Sequence, residues 1–274
     1  GDKVWAHSHG KALILVQLGS NPLSKGMNIL GAHIDSPRLD LKQNPLYESN
    51  GFALLDTHYY GGIKNYQWVT LPLAMHGVIA KKDGTVVDIN VGDDEGDPVF
   101  CVSDLLIHLA SQQMDKKGNK IVEGEDLDIL IGNRPLSIDG EDAEREAAGS
   151  EGAERKDAAK EPVKAFALKL LADKYGIEEV DFLSAEIEMV PAGRARELGF
   201  DRSMVIGYGQ DDRVCAYTSL IAQLEAPADL AKTAVTVLVD KEEIGSVGAT
   251  GMASNFFENT IAEIMELAGE GGML

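Results

Sequence analysis

Cysteine is nearly absent: Cys101 and Cys215 are the only two in 274 residues. Two scattered thiols permit at most one disulfide. That excludes a small disulfide scaffold and reads as buried, reduced thiols of a cytosolic protein. Long apolar runs are missing as well. No stretch of about 18 apolar residues occurs, so a membrane-crossing helix is not expected. Positive charge is in deficit, with 25 Lys+Arg against 45 Asp+Glu and a formal charge of −20. Such a balance repels phosphate backbones and anionic lipid, so neither nucleic acid nor a membrane is expected as a partner. Internal repeats and a Gly-rich phosphate loop are lacking too. What is present, 44% hydrophobic and 26% charged residues, is the composition of a globular chain. Its length suits one large α/β domain or two smaller ones. The first residue is Gly1, no secretory leader follows, and the chain closes on Gly271-Gly272-Met273-Leu274. These ends read as a fragment or a processed product, with a cytoplasmic location.

Residues 11–18 and 27–34 are continuous apolar runs and predict buried strands, separated by a polar turn at Gly19-Ser20-Asn21-Pro22. Residues 68–80 and 85–91 predict two more strands, joined at Lys82-Asp83-Gly84-Thr85, where Asp-Gly signals a hairpin. Val102, Leu105, Leu106 and Leu109 have helical spacing and predict a helix over 102–114. Residues 139–162 are dense in acidic and basic residues, with alanine as their apolar component, and predict an exposed loop or a solvated helix face. A helix over 163–174, a strand over 181–190, a helix over 213–224 and a strand over 233–239 complete the pattern. The expected architecture is α/β, a central mixed sheet flanked by helices, interrupted by an inserted β-rich domain.

Three short clusters carry the chemistry: His33-Ile34-Asp35, Asp211-Asp212 and Glu242-Glu243. The first and third each come directly after an apolar strand, and open α/β sheets bind ligands beyond the carboxyl ends of their strands. Imidazole and carboxylate suit zinc, manganese or cobalt. One carboxylate can bridge two cations about 3.5–4 Å apart. In an adjacent Glu pair, one residue can coordinate while its neighbour takes a proton from water. Taken singly, each cluster also fits a solvated turn or a helix cap.

Gly31-Ala32-His33-Ile34-Asp35-Ser36-Pro37-Arg38, Tyr60-Gly61-Gly62, Gly209-Gln210-Asp211-Asp212 and Glu242-Glu243-Ile244-Gly245-Ser246 appear together. With them the chain resembles the aspartyl aminopeptidase family of dinuclear metallo-aminopeptidases. The resemblance implies a phosphorylase/hydrolase-like peptidase domain formed by 1–46 and 198–274, with a dimerisation domain inserted over 47–197. It implies two divalent metal ions, zinc first and manganese or cobalt as alternatives. His33 would be a terminal ligand, with Asp35 orienting its imidazole. Asp211 would bridge the metals, with Asp212 a neighbour and not a ligand. Glu242 would be the general base and Glu243 a ligand of the second metal. His108 would reach a neighbouring subunit's site and contact the substrate carbonyl. Implied substrates are peptides, with N-terminal Asp or Glu preferred. The implied assembly is a homo-oligomer in which dimers build a dodecamer.

The resemblance also implies an acidic ligand and a late histidine downstream of the Glu pair. The six histidines, His7, His9, His33, His58, His76 and His108, all precede that point. The 274-residue chain alone is therefore expected to be impaired. A non-catalytic assembly subunit of an oligomeric shell is the competing reading.

Other motifs are weaker. His7-Ser8-His9 lacks later histidines for an amidohydrolase site. Gly245-Ser246-Val247-Gly248 lacks a downstream histidine for a serine nucleophile. Asp93-Asp94-Glu95 lacks EF-hand spacing. Trp5 and Trp68 are expected in small cores or at an interface.

Overall fold

The computed structural model describes residues 1–136 and 160–271, so nearly all of the acidic run at 139–162 lies outside the described residues. The chain gathers into two compact units, Gly1–Pro37 with Arg196–Leu274, and Arg38–Ala195. The crossings expected from sequence are at 46/47 and 197/198.

The first unit holds strands β1 (Lys3–Ser8), β2 (Ala12–Gln17) and β3 (Asn28–His33). The second unit contributes β4 (Arg38–Ser49), β5 (Phe52–Tyr60), β6 (Leu73–Ala80), β7 (Val86–Val91), β8 (Cys101–Val102), β9 (Ile129–Gly132) and β10 (Ala185–Pro191). The chain then returns to the first unit with β11 (Arg196–Leu198), β12 (Met204–Ile206) and β13 (Ala234–Val239). Helix α1 (Pro162–Tyr175) belongs to the second unit, and α2 (Gln210–Leu224) and α3 (Phe256–Leu267) to the first.

The first unit is a mixed four-stranded sheet in the order β1-β2-β13-β3, with only β13 and β3 parallel. β2 and β13 are apolar nearly throughout because both faces are covered. On one face Ile14, Val16, Val235 and Val237 pack with Ile264, Phe257 and Ile261 of α3. On the other, Ala32 and Leu238 meet Ala216 of α2. The buried Thr236 on the α2 side is satisfied: its Oγ1 donates to Gln223 Oε1 at 3.1 Å. Parallel pairing runs to Val239 opposite His33, so β3 and β13 deliver their carboxyl ends to one edge. This is the expected α/β class with a mixed sheet.

The second unit is a seven-stranded sheet, β7-β6-β10-β4-β5-β9-β8, antiparallel at each pairing of neighbours. β4 and β5 meet at Ser49 opposite Phe52, around Asn50 (φ 52°) and Gly51 (φ 77°). Both central residues are left-handed, the two-residue hairpin that Asn-Gly favours. The Asp83-Gly84 turn joins β6 and β7 as expected, with the Asp83 carboxylate accepting from the Thr85 amide at 2.9 Å. Glu48 Oε2 accepts from the amides of Val163 and Lys164 at 2.8 and 3.0 Å, so a carboxylate from β4 caps α1. Arg38 is buried with Asp40 (2.7 Å) and Glu188 (3.1 Å), its guanidinium stacked on Tyr60.

Four local expectations need correction. Residues 102–114 are not a helix. Val102 is a strand residue, Ile107–Leu109 is a 3₁₀ turn and Ser111–Met114 a single helical turn. Leu105, Leu106, Ile107 and Leu109 are exposed, so their spacing found no surface to bury against within the described residues. Residues 181–184 belong to a 3₁₀ helix, Glu179–Ser184, because Glu178 and Asp181 form a capping box there. The strand expected over 68–80 starts at Leu73. Cys215 is exposed and Cys101 half-buried, so neither thiol is buried, although both cysteines are free as expected. Trp68 is buried and Trp5 exposed, stacked on His7.

One half-buried pair yields a stability test. Tyr47 donates its hydroxyl to Asp128 Oδ2. Burial, with the charge of Asp56, holds the Asp128 carboxyl above its ordinary range, against the opposing effects of Tyr47 and Lys42. Because the folded value exceeds the unfolded one, protonated Asp128 adds stability in acid that is lost as pH rises through its raised value. Tyr47 limits that loss. Tyr47→Phe should cost about 1–3 kcal/mol at neutral pH and less in acid, read by urea melts at both.

Candidate metal centre

The parallel register of β3 and β13 sets the site. After His33 the chain leaves β3 through Ile34 and Asp35; after Val239 it leaves β13 through Asp240 and Lys241 into Glu242–Ile244, a 3₁₀ turn. α2 packs on β3 and starts at the same edge with Gln210. Three segments distant in sequence therefore converge at one sheet end.

His33 is the hub. Its Nδ1 lies 2.9 Å from the Asp35 main-chain carbonyl, which can only accept, so Nδ1 carries a proton. Its Nε2 faces Asp211 Oδ1 at 3.0 Å and Glu242 Oε2 at 3.8 Å. Burial opposes a charged ring. The bonds to the Asp35 carbonyl and Asp211, with the charges of Asp35 and Glu242, outweigh it and raise the His33 pKa. Nε2 thus points toward the carboxylates, the direction a cation would take.

Asp211 and Asp212 lie in the first turn of α2 but have non-helical backbone angles, and the peptide between them is cis. Ser36 Oγ donates to the Asp211 carbonyl at 3.1 Å, and Tyr208 OH to the Pro37 carbonyl at 2.7 Å. Gly209 has φ 77°, and a Cβ there would press on Ser36 Oγ and Arg213 Nε at 3.2 Å, so glycine suits both angle and space. The Asp211 side chain is 85% exposed. The hydrogen bond to Asp212 pushes the pKa of the exposed Cys215 thiol above its usual value.

The Glu pair sits on a tightly folded loop. Lys241 is left-handed (φ 70°), and the buried Asp240 accepts from Thr250 Oγ1 at 2.8 Å. A Cβ at Gly251 would fall 2.2 Å from the Ser246 carbonyl oxygen, so this crossing requires glycine. Burial raises the Glu243 pKa, helped by the charges of Asp35, Glu242 and Asp211 and opposed by His33. The Asp35 carboxylate lies 3.3 Å from His33 Nδ1 and accepts from the amides of Glu242 and Glu243 at 3.2 Å each.

Among the described residues, two donor groups have ligand atoms within 4.8 Å of one another: His33, Asp211 and Asp212, and His33, Glu242 and Glu243. An imidazole surrounded by carboxylates that repel one another fits a divalent cation of the zinc type. Of the residues singled out in the sequence, His33, Asp35, Asp211, Glu242 and Glu243 come together here. His108 belongs to the other compact unit, exposed on the Ile107–Leu109 turn. Asp212, expected as a neighbour, also has a ligand atom within reach. The grip of Asp35 on the Glu pair leaves no trace in the sequence beyond the presence of the residue.

The family model for the aminopeptidase I zinc metalloproteases (M18) matches residues 1–273. A Clostridium acetobutylicum protein named "Probable M18 family aminopeptidase 1" is 61% identical over 270 residues, 98% of this chain and 54% of its own length. The crystal structure of aminopeptidase I from that organism superposes with a TM-score of 0.84 at 59% identity, covering 97% of this chain and 54% of that one. An M18 aminopeptidase from Thermotoga maritima gives 0.86 at 44% identity, covering 98% and 56%. The chain spans about half the length of the curated relatives it matches. Among the described residues no helix is long and apolar enough to cross a membrane. The assembled cluster at the ends of β3 and β13 and the match over 1–273 agree, and the chain belongs to the M18 family of aminopeptidase I zinc metalloproteases.

Proposed function

We propose that the first unit carries the metal-holding and proton-transfer residues of an aminopeptidase that acts on the N-terminal peptide bond. The observation that carries this reading is the convergence of His33, Asp211, Glu242 and Glu243 beyond the carboxyl ends of β3 and β13. His33 Nε2 and the carboxylates of Asp211 and Glu243 would hold two divalent cations, zinc by preference. Zinc, when bound, supplies the Lewis acidity that acidifies water and polarises a carbonyl. Glu242 is the general base. Its side chain is 55% exposed while its amide is held by Asp35, so the carboxylate can reach a water proton and return it to the leaving amine. Asp35 keeps the Nδ1 proton of His33 in place and leaves Nε2 directed outward.

The carboxylates around His33 make the site a receptor for a free α-ammonium, which selects a chain terminus. A preference for N-terminal Asp or Glu needs a local cation and is the finer part of the reading. His108, exposed among Leu105, Leu106, Ile107 and Leu109, suits contact with substrate in a neighbouring copy of a homo-oligomer. The enzyme reading is favoured over a bare shell subunit because a shell has no use for a converged His–carboxylate cluster.

Zinc titration by chelator competition, paired with hydrolysis of Asp-, Glu- and Leu-aminoacyl substrates, tests this. Zinc uptake at His33 is expected of this chain, and turnover of aminoacyl substrates once the further acidic and histidine ligands that the family resemblance implies are supplied. A chain that takes up no zinc would overturn the reading. The same assay on His108→Ala should show lower turnover with zinc uptake unchanged.

A further inference from the structure

We infer that the Asp35 carboxylate is a positioning residue for the Glu242–Glu243 backbone, while its main-chain carbonyl, not its side chain, holds the His33 imidazole. The distances divide the tasks. Nδ1 of His33 is 2.9 Å from the Asp35 carbonyl and 3.3 Å from the carboxylate. The carboxylate instead has one oxygen on each amide, Oδ1 on Glu242 N and Oδ2 on Glu243 N, both at 3.2 Å. Its side chain is 1% exposed, so these bonds are made away from water.

The local backbone explains why two successive amides face one carboxylate. Lys241 is left-handed and Glu242 starts a 3₁₀ turn, a sequence of angles that points consecutive N–H groups into one concavity. A buried carboxylate fills it with two acceptors and no donor. Asparagine would offer one acceptor and one N–H₂, which meets an amide N–H head-on. The position therefore suits aspartate better than asparagine. Through it, the strand end of β3 fixes the base and its neighbour on β13. The clamp rests on this chain's own hydrogen bonds. Only its consequence, aiming Glu242 and Glu243 at a cation, rests on the proposed function.

The test is amide exchange by NMR on the 274-residue chain in excess chelator. In the wild type, the amides of Glu242 and Glu243 should exchange far more slowly than unprotected ones, although Glu242 is exposed. Asp35→Asn should speed both by roughly 10- to 100-fold. Its His33 ring should keep the Nδ1–H form in ¹⁵N shifts, because the carbonyl remains. Asp35→Ala should reproduce the exchange result, with unchanged protection in β2 and β13 showing that the sheet is intact. Unprotected amides at 242 and 243 in the wild type would overturn the inference, with no variant required. So would amides still protected in Asp35→Asn together with a switched His33 ring, which would return the carboxylate to the imidazole. Chelator competition separates the two readings. Failure of wild-type zinc uptake defeats the proposed function and leaves the clamp standing. Weaker zinc uptake in Asp35→Asn, with His33 unchanged, supports both.

Discussion

Glu242→Gln in the complete protein is expected to lower the turnover of aminoacyl substrates by roughly 10²- to 10⁴-fold, the usual contribution of a positioned general base. Zinc uptake should stay near the wild-type value. The two effects separate because Glu242 offers a half-exposed carboxylate 3.8 Å from His33 Nε2, whereas Asp211 sits at 3.0 Å. Glutamine keeps the size and the main-chain bond to Asp35 but cannot take a proton. A fall in zinc uptake as large as the fall in rate would make Glu242 a ligand and move the base elsewhere.

The second large effect concerns His33 and Asp211. His33→Ala should weaken zinc uptake by at least about 100-fold, beyond the roughly 10- to 100-fold that outer-shell partners cost. His33 takes part in both donor groups, so its loss strikes every candidate ligand set at once. Asp211→Ala should do the same, but with a different effect on the metal-free chain. Its carboxylate is exposed, and its charge helps raise Glu243. Removing it relieves repulsion, so thermal stability in chelator should hold or increase while zinc uptake collapses. Equal loss of both would mean that Asp211 acts through the fold. Chelator competition and melting curves in excess chelator read the two quantities separately.

The site is legible because its members come in short clusters, two of them at the ends of apolar strands. The apolar runs over 27–34 and 233–239 read as strands, and in an α/β sheet ligands bind just past the carboxyl end of such a strand. The helix over 163–174 is readable from its own brackets, Pro162 at its start and the left-handed Gly176 at its end. The hairpin of β4 and β5 is harder to see although Asn50-Gly51 announces it, since neither flanking strand shows a clean alternation. Residues 102–114 mislead in the opposite way: helical spacing is present, but the surface that would reward it is not. Arg38 stands out as part of a motif, yet its ion pair with Glu188 depends on β10, far along the chain. The two-amide grip on Asp35 depends on backbone angles at Lys241, and no residue type specifies those. Side-chain identity is written in the sequence; the direction of an N–H group is written only in the fold.

The central place of β13 bears on how the chain is made. Until residues 234–239 leave the ribosome, β2 and β3 have no shared neighbour, and the hub histidine stands beside an unpaired strand. The antiparallel sheet of Arg38–Ala195 is complete in contiguous chain long before that. The order of synthesis therefore presents the whole insertion before β13 can bring His33 and the Glu pair to one sheet edge.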